Sequence, residues 1–497
     1  MQRLDARDAG FAAAFTALVE ARRESDAGVA ADVAEIIADV RQRGDAALFA
    51  LTAKFDRIDL ATTGIEVTAA EITAARAQVP AETLAALELA ATRIRAFHAA
   101  QRPADHDATD ASGVRAGYRW SAVEAAGLYV PGGLASYPSS VLMNAIPAKV
   151  AGVERLVMVT PTPGGRLNPL VLVAAELAGV DKVYRIGGAQ AVAALAYGTA
   201  SIAPVDKIVG PGNAWVAEAK RQLYGTVGID MVAGPSEIVV VSDAKSNPEW
   251  VAADLLSQAE HDRTAQSILI TDSVAFSKQV EAAVERQLGM LSTEATARAS
   301  WDAFGAMIIV PDFDAALPLI DRLAPEHIEL MVDDPDALFA RIRHAGSAFL
   351  GRHTPEAAGD YVGGPNHVLP TGRRARFSSG LSVTDFMKRT TFLDCGAAGL
   401  AAIGPAAAVL ADADPGARAA YRLRALAGAS RGVADRLSTY RTDMAGKDLE
   451  YRRALEASNS GRAFDLEKQR IDAMRAKSAE LRARAVRRLV ISSFNPS

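Results

Sequence analysis

The chain of 497 residues contains a single cysteine, Cys395, and this scarcity excludes several kinds of site. One thiol permits no intrachain disulfide, no CxxC redox pair and no zinc site built from several cysteines. A lone thiol is typical of a reducing compartment, so we expect a cytoplasmic protein. Cys395 lies among small apolar residues without a histidine nearby in sequence. This setting favours a buried structural thiol over the nucleophile of an aldehyde oxidation.

The chain also lacks long apolar runs and a strong net charge. No apolar run reaches the roughly 18 residues that a membrane-spanning helix needs. The first residues, MQRLDARDAGFAAAF, lack the long apolar core and cleavage site of a secretion signal. The net charge is −5 and the mean hydropathy is +0.08. We therefore expect a globular protein of two to four domains that binds neither nucleic acid nor a membrane.

Apolar periodicity predicts an alternation of strands and helices. Apolar residues at helical spacing predict helices over 30–56, with a break at Gly44-Asp45, and over 80–100. Further along, short apolar strands at 155–160 and 182–188 are each followed by a helical pattern. The strand segments EIVVVSD, SILITD and GAMIIV come later. This rhythm predicts the α/β class with parallel sheets.

Two predicted strands run into glycines immediately before a helix, at Gly187-Gly188 and at Gly210-Pro211-Gly212. Glycine lets the backbone approach a ligand closely, and a helix N-terminus attracts phosphate. Neither segment is the GxGxxG pattern of a standard dinucleotide site. Each segment taken alone is therefore either a nucleotide site or an ordinary strand-to-helix turn, and the turn is favoured.

Histidine is scarce, with seven in the chain, and some histidines lie beside other polar residues. Gln258 and His261 are three apart on a predicted helix, so an amide oxygen and an imidazole on one face can bind a metal. A polar helix end is the alternative. Glu326 and His327 pair a carboxylate with an imidazole, which suits general acid–base chemistry. The start of a helix, with its carboxylate at the positive end, is the alternative there.

The segment GDYVGGPNH, residues 359–367, is the third polar cluster around a histidine. Its glycines and proline predict a constrained loop. Asp360 is a candidate oxygen ligand for a metal ion. A turn held by aspartate and asparagine side chains is an equally good interpretation.

Together these segments resemble the histidinol dehydrogenase family over about residues 30–414. The motifs that carry the resemblance occur in one order along the chain: GLYVPGGLASYPSSVLMNAIPAKVAGV, VDKIVGPGNAWVAEAKRQLYG, DLLSQAEHD, APEHIEL, GDYVGGPNHVLPTG and LSVTDFMKRTTF. The resemblance implies an α/β fold of two incomplete Rossmann-like parallel-sheet domains with small helical terminal elements. The expected divisions are a small helical element (1–24 and 382–414), a first α/β domain (25–128 and 238–381), a second, NAD-side α/β domain (129–237) and a basic helical tail (415–497).

The resemblance also implies an activity and a set of site residues. It implies a homodimer that oxidises L-histidinol to L-histidine through L-histidinal, the last step of histidine biosynthesis, with NAD and one Zn²⁺ per subunit. Glu326 and His327 match the acid–base pair of the family, with His327 taking the hydroxyl proton and Glu326 activating a water. The remaining matches are zinc ligands (Gln258, His261, Asp360), NAD contacts (Tyr129, Gln190, Asn213) and substrate contacts (Ser236, Gln258, His261, His327, Asp360, Asp414).

The resemblance ends in the C-terminal region. The family's fourth zinc ligand is a histidine in a Glu-Gly-Leu-x-x-His motif that reaches into the partner's site. Here Asp414 stands in place of the glutamate, and no histidine follows His367. A shifted reading frame and a genuine divergent tail both explain residues 415–497, and these alternatives stay open. A dehydrogenase of another small polar alcohol and a catalytically impaired binding subunit are the alternative functions.

Overall fold

The computed structural model describes residues 1–21, 28–132, 137–232, 234–413 and Asp472. The described chain forms two compact units. The larger unit contains Met1–His106 and Tyr118–Thr390, and the smaller contains Asp107–Gly117 and the described residues from Thr391 onward. Asp414 and, apart from Asp472, the predicted helical tail 415–497 lie outside the described residues.

In the described residues, six helices follow the first strand, and strands and helices mostly alternate from residue 125 onward. The strands are β1 (Gln2–Asp5), β2 (His106–Thr109), β3 (Arg115–Ala122), β4 (Ala125–Tyr129), β5 (Arg155–Val159), β6 (Lys182–Tyr184), β7 (Lys207–Val209), β8 (Gly228–Ile229), β9 (Glu237–Ser242), β10 (Gln266–Thr271), β11 (Ala306–Ile309), β12 (His327–Met331), β13 (Ser347–Leu350) and β14 (Met387–Asp394). The helices are α1 (Phe11–Glu20), α2 (Val29–Arg43), α3 (Asp45–Phe55), α4 (Leu60–Thr63), α5 (Ala69–Arg76), α6 (Ala81–Ala99), α7 (Pro138–Ala151), α8 (Pro169–Ala178), α9 (Gly188–Tyr197), α10 (Ala214–Leu223), α11 (Pro248–Ala259), α12 (Val274–Leu288), α13 (Glu294–Phe304), α14 (Phe313–Leu323), α15 (Pro335–Phe339), α16 (Glu356–Ala358) and α17 (Gly396–Ala413).

One parallel sheet has five strands in the order β6-β5-β4-β7-β8. Successive side chains of a strand point to opposite faces, so both faces of this sheet need cover. Ala126 and Leu128 of β4 pack with α6, α7 and α8. Ala125 and Tyr129 of the same strand pack with α2, α9 and α10. Helices therefore cover both faces, and the carboxyl ends of the strands stay free to hold polar residues.

The second parallel sheet has six strands in the order β1-β11-β10-β9-β12-β13. Val239 and Val241 of β9 pack with α1 and α14 on one face. Ile238 and Val240 pack with α11 and α12 on the other. The two sheets together confirm the predicted α/β class with parallel sheets. A third sheet has the strand order β14-β3-β2.

The predicted elements and the observed ones agree where the apolar pattern is long. The helix expected over 30–56 is α2 and α3, divided at Gly44 as predicted, and the helix over 80–100 is α6. The strand expected over 182–188 ends earlier, at Tyr184, because the following residues turn towards α9. Residues 2–5, expected in a small helical element, form β1, which pairs with β11. This short edge strand is stabilised by a partner about 300 residues further along the chain. Its own sequence therefore shows little of the apolar alternation that predicts a strand.

Membrane insertion has no support in the part of the chain that the structure describes. None of its helices combines the length and the apolar character that crossing a membrane requires.

Candidate active site

Glu326 immediately precedes β12 and His327 begins it, between β9 and the edge strand β13 of the six-stranded sheet. Helix α14 ends at Leu323, and Ala324 follows with a left-handed φ of 45°, which turns the chain into the strand. His327 then pairs with Ile238 of β9 on one side and with β13 on the other. The alternative that this motif begins a helix is therefore wrong, because the left-handed residue ends one helix and a strand begins. The acid–base pair is held by a rigid sheet.

The imidazole of His327 is buried and its two nitrogens differ. Nδ1 lies 3.2 Å from the Glu237 carbonyl oxygen, 3.1 Å from Oε1 of Gln258 and 3.0 Å from Oε1 of Glu356. A backbone carbonyl can only accept, so Nδ1 carries the hydrogen and Nε2 carries the lone pair. Nε2 is buried and has no hydrogen-bond partner among the described residues. Burial lowers the pKa of His327 to about 4, so the imidazole is a neutral base at neutral pH.

The carboxyl group of Glu326 is buried beside this imidazole. Its Oε2 accepts a hydrogen bond from the Glu237 backbone nitrogen at 3.0 Å and lies 3.8 Å from Nδ1 of His327. Burial raises the pKa of Glu326 well above its ordinary value, and the neighbouring charges of Glu237, Glu356 and Asp360 add to the rise. A carboxyl with a raised pKa is a stronger base once it has lost its proton.

Gln258 and His261 lie at and just beyond the end of α11. The helix ends at Ala259, so Gln258 occupies the last turn, where it is buried and contacts His327. His261 is exposed, and its Nδ1 lies 2.9 Å from the Ser257 carbonyl oxygen. Nδ1 must therefore donate, which leaves the lone pair on Nε2. Metal-bound histidines hold their second nitrogen in this way.

Asp360 lies on a π-helical turn, Gly359–Gly363, next to the same group of residues. Burial raises the pKa of Asp360, the charge of Glu356 adds to the rise, and interactions with the imidazoles of His367, His327 and His261 oppose it. Nδ1 of His367 lies 3.8 Å from Oδ1 of Asp360. π-helical turns occur often at functional sites. The predicted loop is thus a turn that places Asp360 beside the histidines.

Glu356 is a site residue that the sequence analysis missed. His327, Glu356 and Asp360 each offer one ligand atom, and these three atoms lie within 4.8 Å of one another. This spacing can hold a metal ion. Glu356 is buried, and burial raises its pKa to about 7 while His261 opposes the rise. A glutamate four residues before Asp360 shares a helical face with it, and this spacing was the available signal. The oxygen and nitrogen donors of this cluster suit Zn²⁺.

The residues expected to contact NAD lie at the carboxyl ends of strands in the five-stranded sheet. Tyr129 ends β4, and its hydroxyl oxygen accepts a hydrogen bond from the Gly188 nitrogen at 3.0 Å. Gly188 has a φ of +66°, and a Cβ there would lie 2.7 Å from Oε1 of Gln190. Asn213 follows β7 and caps α10 through the backbone nitrogens of Trp215 and Val216. Strand ends and helix starts therefore bring these side chains to one edge.

A buried ion pair holds the loop that precedes Asn213. Lys220 and Asp230 form an ion pair with side chains only 3% and 1% exposed. Asp230 Oδ2 accepts from the Gly210 nitrogen at 2.7 Å, and Lys220 Nζ donates to the Gly210 carbonyl at 3.0 Å. A Cβ on Gly210 would lie 2.1 Å from the Tyr129 carbonyl oxygen, so only glycine fits here. The ion pair and the glycine fix the loop against β4.

A cavity of about 1130 Å³ has neighbours of the acid–base pair in its wall, but Glu326, His327, Gln258, His261 and Asp360 do not line it. Asn213 and Ser236 line it, together with Glu237 and Pro325, which adjoin Glu326 and His327. Tyr129 and Gln190 are buried and do not belong to its wall. The structure thus brings together Gln258, His261, Glu326, His327 and Asp360 and sets Asn213 and Ser236 on the cavity wall. The predicted substrate contact Asp414 lies outside the described residues.

Comparisons with known proteins identify the family of the chain. The sequence model of histidinol dehydrogenase matches residues 19–420, further at both ends than the motifs over 30–414 indicate. The histidinol dehydrogenase of Zymomonas mobilis subsp. mobilis is 65% identical over 412 residues, which are 83% of this chain and 96% of that protein. The one of Ruegeria pomeroyi is 63% identical over 82% of this chain and 95% of that protein.

A solved structure is also similar. The crystal structure of histidinol dehydrogenase from Elizabethkingia anophelis has a TM-score of 0.81 and 36% identity, covering 89% of this chain and 99% of that one. Sequence and structure matches therefore name one family over most of this chain. The chain belongs to the histidinol dehydrogenase family, oxidoreductases of histidine biosynthesis.

Proposed function

We propose that this chain oxidises L-histidinol to L-histidine through L-histidinal in the cytoplasm, as a homodimer that uses NAD and one Zn²⁺ per subunit. The observation that carries the proposal is the imidazole of His327. It is buried and neutral, and it has an unpartnered Nε2 beside a carboxyl group and a cluster of metal-type ligands. That combination suits removal of a proton from an alcohol held at the site.

Gln258, His261 and Asp360 are the residues that would hold the zinc. The two nitrogens of His261 support this role, since Nδ1–H is held by a backbone carbonyl and Nε2 keeps its lone pair. Zinc bound there would act as a Lewis acid that orients and polarises the substrate, and NAD would accept the hydride of each oxidation. The other steps are performed by side chains of this chain.

His327 acts as the base for the alcohol. As the C–H bond of the alcohol carbon is broken with its electron pair, Nε2 takes the hydroxyl proton and the C=O bond of the aldehyde forms. The Glu237 carbonyl keeps Nδ1 protonated, so the lone pair stays on Nε2. Burial keeps the imidazole neutral between turnovers, because its pKa is about 4. The same base serves the second oxidation after its proton has left.

Glu326 acts on the water that converts the aldehyde to its hydrate. Ionised Glu326 takes one proton of the water while the water oxygen bonds to the aldehyde carbon and the C=O π bond opens. The proton then passes to the former carbonyl oxygen, which completes the neutral hydrate and leaves Glu326 ionised again. The hydrate then loses a hydride and a hydroxyl proton, and the carboxylic acid remains. The raised pKa of Glu326 makes its carboxylate a stronger base for this step. The Glu237 backbone nitrogen, 3.0 Å away, holds the carboxyl in place.

The cavity wall supplies the binding surface in this proposal. Ser236 lies next to Glu237, whose backbone contacts both Glu326 and His327, so a substrate at Ser236 is close to the acid–base pair. Asn213 lines the same cavity on the side of the five-stranded sheet. A dinucleotide that contacts Asn213 and reaches Tyr129 and Gln190 lies along the carboxyl edge of that sheet, where ligands of open α/β sheets bind.

The test is L-histidinol-dependent NADH formation by the purified full-length chain. We expect formation of NADH, its loss after zinc is removed with a chelator, and its recovery when zinc is restored. Turnover that survives complete zinc removal would rule out the zinc-dependent mechanism. NADH formation with another small alcohol and none with L-histidinol would rule out the substrate.

A further inference from the structure

Structural and catalytic zinc sites usually have four ligands, and one of them can be water or substrate. The proposed site takes three from the protein, Gln258, His261 and Asp360. Among the described residues, a further buried donor group lies at the same place. It is the carboxylate of Glu356, which forms a cluster with His327 and Asp360.

The backbone places Glu356 and Asp360 on one face. Glu356 begins α16, and the π-helical turn that carries Asp360 follows without a break. Residues four apart on a helical backbone are neighbours. The relevant atoms of the two carboxylates lie within 4.8 Å of each other. Ligands roughly 2 Å from a zinc ion are separated by roughly 3–3.5 Å, so only a small closure around the ion is needed.

Gln258 connects Glu356 to the other proposed ligands. Both residues contact the same nitrogen, Nδ1 of His327. Oε1 of Gln258 lies 3.1 Å from it, and Oε1 of Glu356 lies 3.0 Å from it. Oε2 of Glu356 accepts from Oγ of Ser257, the residue before Gln258, at 3.3 Å. A carboxylate offers about four lone-pair positions, so these two contacts leave others for a cation.

The backbone of Glu356 is itself anchored. Its nitrogen donates to Oε1 of Glu329 at 2.8 Å, and Glu329 is fully buried in β12. The carboxylate of Glu356 is thus aimed by a fixed backbone and not by a flexible surface loop. A metal site needs such fixed ligands.

The charges around this point also favour a divalent cation. Carboxylates of Glu326, Glu356 and Asp360 are gathered there, and all are removed from bulk water to a large extent. Within the described residues, the ion pairs formed by Glu356 and Asp360 are with histidines and with no lysine or arginine. Buried charges need a partner or a metal ion. Nε2 of His327, buried without a partner in the same cluster, is a further sign that a ligand belongs here.

We propose that Glu356 is a zinc ligand of this chain and completes, from within the same subunit, the set formed by Gln258, His261 and Asp360. The proposal rests on the proposed function, because that function supplies the other three ligands. It assigns His327 to proton transfer and not to metal binding. Zinc affinity is therefore expected to depend more on Glu356 than on His327, and base catalysis on His327.

The test measures zinc affinity, which needs no turnover. The metal-free full-length chain is titrated with zinc in competition with a chromogenic chelator, for wild type, Glu356→Ala, Glu356→Gln and Asp360→Asn. Glu329→Gln is the matched control, since it removes another buried carboxylate that contacts Glu356 but lies outside the cluster. Circular dichroism of the metal-free proteins shows whether each variant is folded. If Glu356→Ala does not fold, the nearly isosteric Glu356→Gln still provides the test.

Loss of an outer contact of a metal site weakens binding by roughly 10–100-fold. Loss of a direct ligand should cost at least as much, so we expect Glu356→Ala to bind zinc about 100-fold more weakly than wild type. Glu356→Gln keeps an oxygen but not the charge, so its zinc affinity should lie between those of wild type and Glu356→Ala. Glu329→Gln keeps a side-chain oxygen that can accept from the Glu356 nitrogen, so it should bind zinc like wild type. His327→Asn loses the imidazole that contacts Gln258 and Glu356 and should weaken zinc binding less than Glu356→Ala does.

Two results would overturn the proposal. Zinc binding by folded Glu356→Ala or Glu356→Gln within about threefold of wild type would show that Glu356 is not a ligand. Equal weakening in Glu329→Gln would show that the effect of Glu356 is only structural. A failure of the proposed function looks different, because then wild type binds no zinc or Asp360→Asn binds it equally well.

Discussion

The buried ion pair between Lys220 and Asp230 supports the most specific stability prediction. Both side chains are almost fully buried, and together they hold the backbone nitrogen and oxygen of Gly210. Lys220→Met keeps the length and apolar stem of the side chain but removes its charge. The carboxylate of Asp230 is then buried without a counter-charge, and the Gly210 carbonyl loses a donor.

The size of the effect follows from the burial. Removing one partner of a buried pair costs about 3–5 kcal/mol, chiefly because the remaining charge is uncompensated. Most domains are stable by roughly 5–15 kcal/mol, so Lys220→Met should remove a large part of the stability. The double variant Lys220→Met, Asp230→Asn removes both charges and should be more stable than Lys220→Met alone. Arg221→Met is the matched control, because the Arg221–Glu218 pair on the same helix exposes its arginine by 57% and should contribute less than about 1 kcal/mol.

The assay is urea unfolding of wild type, Lys220→Met, Asp230→Asn, the double variant and Arg221→Met, followed by circular dichroism, with KM for NAD measured on each folded variant. Since the loop leads into Asn213, we expect Lys220→Met to raise KM for NAD, with a smaller effect in Arg221→Met. The reasoning would be refuted by a loss below about 1 kcal/mol in Lys220→Met. It would also be refuted if the double variant lost the sum of the two single losses.

Three further predictions concern the base, the buried acids and the assembly. His327→Asn should lower turnover by about 10²–10⁴-fold and leave NAD binding nearly intact, as measured by steady-state kinetics and by titration with NAD, and equal turnover would contradict its role as base. Burial raises the pKa of Asp254 from 3.8 to about 6, so the native state holds a proton more tightly than the unfolded state, and stability from this group is lost as pH rises through that range. Asp254→Asn should therefore stabilise the protein at pH 7 by up to about 3 kcal/mol and make little difference near pH 4, and thermal melts with the opposite pH trend would contradict this. Light scattering should give the mass of a dimer, and a monomer would contradict the proposed assembly.

The sequence predicted those parts of the fold that local patterns encode. Continuous apolar runs such as EIVVVSD and SILITD identify buried strands because both faces of a parallel sheet are covered. The order of the strands was not predictable, since it depends on contacts between distant segments. β1 shows this limit, because four residues gain their structure by pairing with β11. The proposed division into domains stays a prediction.

The part of the candidate site that was predicted is the part that local sequence motifs mark. Gln258, His261, Glu326, His327 and Asp360 lie in motifs with unusual polar neighbours, and the structure gathers them as the family resemblance implies. Their roles in zinc binding and proton transfer stay predictions.

Other site features were missed because single charged residues give little local signal. Glu356, Lys220 and Asp230 are each a single charged residue of a kind that is usually exposed. Only the fold shows that these three are buried and paired.

The yield of NADH per L-histidinol tests the central claim most directly. With limiting L-histidinol, excess NAD and added zinc, the full-length chain should form two NADH for each L-histidinol consumed, with L-histidine as the product. That ratio requires both proton transfers at His327 and the hydration step at Glu326. A ratio of one with L-histidinal accumulating, or no NADH at all, would contradict the account.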